Sequence, residues 1–396
     1  MPHPRLLPPA LLLAALSSSL AGQTLNERFA AMSRNAEERG LAEPFVGITT
    51  DGTPTTGLFP VRADGIDTAP IATAATAFLD TLTDVQRAKT TFPVEDDEWR
   101  KWMNQHFYLR QGVGFLEMTG GQREAAFALM RTTLSAKGLQ LTRDIMRLNH
   151  TLGELNNDNF TEYGEWLYWL TIMGEPSATE PWGWQLDGHH VIINAFIQGD
   201  QMVMTPLFVG SEPVIATTGK YAGTAILQEE QNAGLAFMNG LPEQQRETAT
   251  LDTAKPGNNN LTEAFHDNVV IDYAGLRADA LSAEDRAALL ALIQLYVDHQ
   301  RGDAAKVKMQ DVAAHLDETW FAWVGGNGAD DAFYYRIHSP VILIEFDHQQ
   351  PVGIRHLLDS RAPTRQHIHV VVRTPNGNDY GKDLLRQHLA DHPHPH

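Results

Sequence analysis

His189-His190-Val191-Ile192-Ile193-Asn194-Ala195-Phe196-Ile197, then Gln198-Gly199-Asp200, then Gln201-Met202-Val203-Met204-Thr205-Pro206-Leu207-Phe208-Val209 is the stretch that decides the fold class. Two runs rich in β-branched residues and Met flank a short turn signal, which predicts a hairpin over 189–197 and 201–209. A second strand-rich region follows far downstream, at 332–338, 340–348 and 366–373. Each region alone offers two or three strands and buries little area. The two are therefore expected to pair into one mixed or antiparallel sheet with helices packed against it, an α+β fold.

Outward from these strands the spacing turns helical. Ile71, Ala75, Phe78, Leu79 and Leu82 recur at intervals of three and four, and helical patterns continue to about Leu170. Further helices are predicted at 223–239, 241–250, 282–299, about 303–318 and 380–390. Leu82-Thr83-Asp84-Val85-Gln86-Arg87, Met118 to Arg123, Leu241 to Arg246 and Leu281 to Arg286 resemble one another as helix starts, three of them with Thr or Ser three residues before Gln or Asp. Their irregular spacing argues against a solenoid.

The 396 residues carry 49 acidic and 30 basic side chains, a formal charge of −19, and no cysteine. That balance argues against a nucleic-acid partner, because phosphate binding needs a basic surface. Without Cys there is no disulfide, thiolate metal ligand or thiol nucleophile. His3 and Arg5 precede an apolar run from Leu6 to Leu16, and Ser19 and Ala21 stand at the spacing of a signal-peptidase site. The run is about 11 residues against the roughly 20 of a spanning helix, so the expectation is a cleaved signal ending near Ala21, a secreted or periplasmic protein and no transmembrane segment. The organisation is then a signal at 1–21, an N-terminal arm at 22–70 made of a short helix over 24–43 and a stretch rich in Thr, Gly and Pro over 44–70, one α+β domain at 71–390 and a His/Pro tail at 391–396.

The strings Pro181 to His190, Tyr335-Arg336-Ile337-His338-Ser339-Pro340, Glu345-Phe346-Asp347-His348 and His367-Ile368-His369-Val370-Val371-Val372-Arg373-Thr374-Pro375-Asn376-Gly377-Asn378-Asp379-Tyr380-Gly381 carry a resemblance. Through them, from about residue 70 to 390, the chain resembles the secreted family known as domain of unknown function 3500. The resemblance implies no activity and transfers no catalytic residue.

Chemistry has to be read from the residues themselves. On a strand, alternate side chains share a face, so His367 and His369 project together about 7 Å apart, followed by Arg373. Two such imidazoles close on one divalent ion when a neighbouring strand supplies a third ligand, for which Glu345, His348 and His190 are the candidates. Glu345 and Asp347 share a face and His348 points the other way. The plain alternative is a pair of histidines hydrogen-bonded at a strand end. Asp187-Gly188-His189-His190 reads as a strand start at which one histidine at most looks into a pocket. A cupin is not indicated, because Val372 and Arg373 stand where its Glu would follow His-x-His.

All eight tryptophans form close pairs, Trp99/Trp102, Trp166/Trp169, Trp182/Trp184 and Trp320/Trp323. Three pairs suit one helical face, and Trp182 with Trp184 suits one strand face able to stack on a sugar or aromatic ligand. Glycine-rich phosphate loops, Gly-x-Ser-x-Gly and His-Glu-x-x-His are absent. The resulting expectation is a secreted enzyme with metal-assisted hydrolysis of a small-molecule or carbohydrate-like substrate. His367, His369 and one of His348, Glu345 or His190 would hold Zn²⁺, or alternatively copper or iron. Asp347 or Glu345 would act as base, Arg373 or His338 would stabilise the anion, and Asp379 would orient an imidazole or meet the substrate. The rival expectation is a periplasmic metal- or ligand-binding protein without turnover.

Overall fold

The computed structural model describes residues 25–392, so the signal segment and the last four residues of the tail lie outside it. The chain begins with α1 (Leu25–Gly40), crosses an irregular arm, and enters α2 (Ala69–Asp80), α3 (Asp84–Thr90) and the short β1 (Thr91–Phe92). After β2 (Val113–Gly114) come α4 (Gly120–Thr133) and α5 (Ala136–Leu155). Strands β3 (Tyr168–Met173), β4 (Trp182–Gly188), β5 (Val191–Gln198), β6 (Gln201–Val203) and β7 (Leu207–Ser211) form the central group. Helices α6 (Gln228–Gly240) and α7 (Glu243–Ala249), the short β8 (Thr250–Asp252) and β9 (Leu276–Arg277), then α8 (Ala283–Val297) and α9 (Gly302–Ala314) lead to the second group. That group is β10 (Trp320–Gly325), β11 (Phe333–His338), β12 (Leu343–His348) and β13 (Ile368–Arg373), closed by α10 (Lys382–Asp391).

Both groups belong to one mixed sheet of order β1-β3-β4-β5-β7-β13-β12-β11-β10-β8. The fold is α+β, as the two incomplete strand sets require. They meet at the antiparallel β7/β13 pair, where Val209 lies opposite Val370 and Gly210 opposite His369. Alternation along the strands divides the side chains between two cores. Ile368, Val370, Val372, Ile344 and Phe346 face the larger core under α2, α4, α5, α6 and α8. Val371, Phe208, Ile192 and Phe196 face a smaller one, filled by Trp99, Trp102, Tyr380 and the apolar residues of α10.

Helix starts follow local chemistry. Thr83 and Thr119 make complete capping boxes with Gln86 and Gln122, and Ser282 caps α8 by accepting from the Asp285 N–H. Leu241-Pro242 carries no side-chain cap. No described helix is long and apolar enough to cross a membrane.

Several expectations need correction. Helix does not continue to Leu170: α5 stops at Leu155, and residues 168–173 are a strand paired with β4. The run 201–209 is two strands, because the register against β5 shifts by one between Val203 and Leu207, where Pro206 has no N–H to donate. His189 and His190 are not strand residues; they form the two-residue turn of the β4/β5 hairpin, with Gly188 paired to Val191. Trp320 and Trp323 lie on β10, so a spacing of three puts them on opposite faces rather than together. Trp323 is core, and Trp320 stacks on Tyr273 at 4.0 Å.

Trp182 and Trp184 do share a strand face, but it is the inner one. Both are fully buried, with indole N–H groups donated to the Ser177 carbonyl (2.8 Å) and Thr133 Oγ1 (3.2 Å). They therefore offer no platform to a sugar. Replacing Trp184 by Ala should lower stability by about 3–5 kcal/mol, as for other fully buried large aromatics. Chemical denaturation checks this, and a loss below about 1 kcal/mol would contradict the packing described.

Candidate metal centre

Three histidines converge where the two strand groups meet. His190 comes from the β4/β5 turn, His367 immediately precedes β13, and His369 lies on it. The backbone makes the meeting: the Gly210 N–H donates to the His190 carbonyl (2.8 Å), and Gly210 itself faces His369 across the pair. A Cβ on Gly210 would stand 2.4 Å from the Ile368 carbonyl and 3.2 Å from the His369 ring, so no other residue leaves space for this approach. His190 sits at φ +65°, a left-handed position that Gly or Asn fills more readily. The turn accepts that strain, and the result is an imidazole aimed at His367.

As whole residues His190, His367 and His369 are 5 %, 4 % and 6 % exposed. His367 Nε2 is 3.0 Å from His369 Nε2 and 3.3 Å from His190 Nε2. Each residue offers one nitrogen such that all three lie within 4.8 Å of one another. Tautomers follow from the other ring nitrogens. His367 Nδ1 meets the Gln350 carbonyl at 2.7 Å, and a carbonyl can only accept, so Nδ1 carries the proton. His369 Nδ1 meets Glu263 Oε1 at 2.6 Å. Burial pushes that carboxyl up, but His369 and the Asn260 and Asn104 amides together hold it below the usual range, so it is ionised and Nδ1 is again the donor. Both Nε2 atoms thus present lone pairs to each other across 3.0 Å. Burial and the neighbouring ring push His367 down to about 4, so His367 itself is neutral and presents its lone pair to the centre. Burial and the adjacent histidines likewise hold His190 well below its ordinary value. A proton shared between the two Nε2 atoms would satisfy this contact, and so would a divalent cation, whose bonds of about 2.05 Å to imidazole nitrogens in a tetrahedron give N···N edges of about 3.3 Å.

The supporting shell comes from loops. Glu263 is fixed by Asn260 Nδ2 (3.0 Å) and Asn104 Nδ2 (3.2 Å), and the Asn104 carbonyl accepts the His190 N–H (3.1 Å). Glu212 accepts the backbone N–H groups of Val352, Gly353 and Ile354, holding the turn next to Gln350. His189 stacks on His190 with ring centroids 3.9 Å apart and bonds Asn149 Oδ1 through Nδ1 (2.8 Å).

Of the residues singled out from the sequence, His190, His367 and His369 come together and the others stand elsewhere. His348 is on the opposite face, between the Phe333 N–H (2.9 Å) and Gln231 Oε1 (2.9 Å). Glu345 shares the histidines' face but accepts from Leu261 N, Thr262 N and the Tyr334 and Thr262 hydroxyls. Asp347 lies opposite His369, yet its oxygens hold Lys255 Nζ, the Asn259 and Asn260 N–H groups and Gln349. All five N–H donors of Arg373 are directed at Thr262 O, Glu263 O, Asp267 and Asp379. Asp379 binds Arg373 and the Thr374 N–H, not an imidazole. His338 lies against Tyr273 at the far end of β11. Asp347, Glu345, Arg373 and Asp379 thus hold the 255–267 loop in place, and that loop carries Glu263.

A profile of the family described as protein of unknown function (DUF3500) matches residues 64–382. The chain belongs to this DUF3500 family. No curated protein and no solved structure matches it. Family membership therefore adds no activity, and the argument about chemistry rests on the centre itself. Glu263, Asn104, Gln350 and Glu212 escaped the sequence reading: three of them are loop residues roughly a hundred or more positions from their partners, and Gln350, 17 residues from His367, acts through its backbone carbonyl, which carries no residue-type signal.

His338 and His348 supply a pH test away from the centre. Burial pushes both down to about 3. An unfolded chain takes up protons near pH 6.5, so the stability these neutral rings contribute is complete above that value and is lost as pH falls toward 3. With chelator present, His348→Leu should reduce proton uptake on unfolding at pH 5 by about one. Unfolding free energies measured across this range check it, and an unchanged slope would contradict a neutral buried His348.

Proposed function

We propose that this protein is a secreted metalloprotein in which His190, His367 and His369 hold one divalent ion, zinc in the first instance, and that the centre serves hydrolysis of a small ester or amide. The observation that carries the proposal is the 3.0 Å approach of two Nε2 atoms whose Nδ1 atoms are already committed to Gln350 and Glu263. Three protein ligands leave a fourth tetrahedral position for water, and a zinc-bound water is a nucleophile at neutral pH. Glu263 raises the basicity of His369 and fixes its ring, and the Gln350 carbonyl does the same for His367. Copper and iron accept the same imidazole set. The general-base and anion-stabilising roles expected for Asp347, Glu345, Arg373 and His338 are not part of the proposal, because each of these side chains lies away from the three nitrogens or is committed to the 255–267 loop.

A second reading, a metal-binding protein without turnover, is favoured by the burial of all three rings. The two readings differ in whether the fourth position exchanges. In the cobalt(II)-substituted protein, hydrolysis predicts a visible spectrum that shifts on titration with azide, together with turnover of small aryl esters. A spectrum indifferent to azide, with no turnover, supports the second reading. Variants test the centre itself. His367→Ala, His369→Ala and His190→Asn should each abolish stoichiometric metal, with His190→Asn sparing apo-protein stability because Asn suits the left-handed turn position. Glu263→Gln should weaken metal affinity about 10–100-fold. Removing residues 391–396 should leave metal content nearly unchanged. Retention of one tightly bound metal by both His367→Ala and His369→Ala would overturn the proposal.

A further inference from the structure

A partly open pocket of mixed polar and apolar lining lies at the other end of β13, under the arm. Its volume is about 70 Å³, room for a molecule of a few heavy atoms. Residues 58–64 roof it, tied down where Gln387 Nε2 donates to the Phe59 carbonyl (2.8 Å) and the Arg62 N–H donates to Gln201 Oε1 (3.0 Å). Lys308 of α9 reaches into this space. Its Nζ donates to the Val341 carbonyl (2.8 Å) and to Thr374 Oγ1 (3.3 Å), both neutral. Thr374 Oγ1 is itself held by the Thr205 hydroxyl at 2.7 Å. Among the described residues, the ion pairs of this region pass Lys308 by. Asp311 and Asp64 also line the space, but both pair with Arg62 at 3.0 and 2.6 Å.

Asp311 and Asp379 act on this ammonium only from beyond ion-pair contact, and an ammonium largely removed from water with no carboxylate against it is costly. Burial does pull Lys308 down, to about 8, so at neutral pH it remains mostly charged. Its third N–H is left for a ligand. The walls around it are apolar on one side, with Met204, Leu207, Val297, Ile342 and Leu384. A charged head beside an alkyl-lined space matches a short-chain carboxylic acid better than a bulky, fully hydrated anion. We propose that this cavity binds a small alkyl carboxylate of acetate to propionate size, with Lys308 as its counter-ion. The site is independent of the three histidines, two of which stand at the opposite end of the same strand and the third on the β4/β5 turn.

Calorimetric titration of the full chain with sodium propionate, at fixed pH and ionic strength, tests this directly. Saturable one-to-one binding is expected, and the neutral isostere propionamide should bind about tenfold or more weakly because it forfeits the charge-assisted bond. Lys308→Met should abolish propionate binding, whereas Lys306→Met, an exposed neighbour on α9, should retain it. Absence of saturable propionate binding to the wild type would overturn the proposal. So would equal affinity for propionate and propionamide, a comparison that needs no variant to fold, or unaltered binding to Lys308→Met.

Discussion

The β7/β13 pairing is the contact on which the rest depends, because among the described residues it is the one strand pair that joins the central and C-terminal groups. Without it the molecule would hold two separate sheets, each leaving the β7 or β13 edge unpaired. Its register is equally consequential. Placing Gly210 opposite His369 clears the space into which the β4/β5 turn delivers His190, and a slip of one residue would send His367 and His369 to the larger apolar core. Sheet closure and assembly of the three imidazoles are thus one event.

Buried charge does the positioning that apolar packing cannot. On the histidines' face, Glu345, Asp347 and Arg373 reach from β12 and β13 to the irregular 255–267 loop, and Asp267 joins Arg373 to Arg100 at 2.9 and 3.0 Å. Such pairs contribute little net stability when complete, yet removing one partner leaves an uncompensated buried charge and costs about 3–5 kcal/mol. A loop held this way has one conformation, which is what Glu263 needs to stay within 2.6 Å of His369. Side chains that look catalytic by type therefore act here as anchors for the residue that orients a ligand.

How far the sequence disclosed this follows from the range of each signal. Alternation along residues 366–373 correctly put His367 and His369 on one face and His348 on the other, because period two is a local property of the strand. The need to bury two small strand groups correctly implied one sheet. Trp320 and Trp323 misled because a spacing of three fits a helix face and says nothing about a strand, and the helix expected to reach Leu170 runs past the Asn156-Asn157-Asp158-Asn159 cluster, a loop signal at which α5 in fact ends. His190 was legible as a candidate but not as a turn residue, since the Asp187-Gly188 signal lies inside β4. Nothing local marks Glu263 or Gln350, whose roles exist only once distant loops have docked.

Anomalous diffraction at the zinc edge, on crystals grown with zinc, tests the central claim most directly. The account predicts one dominant peak about 2.0–2.1 Å from Nε2 of each of His190, His367 and His369. It is contradicted if the density between those three nitrogens carries no anomalous signal while zinc binds only at surface histidines.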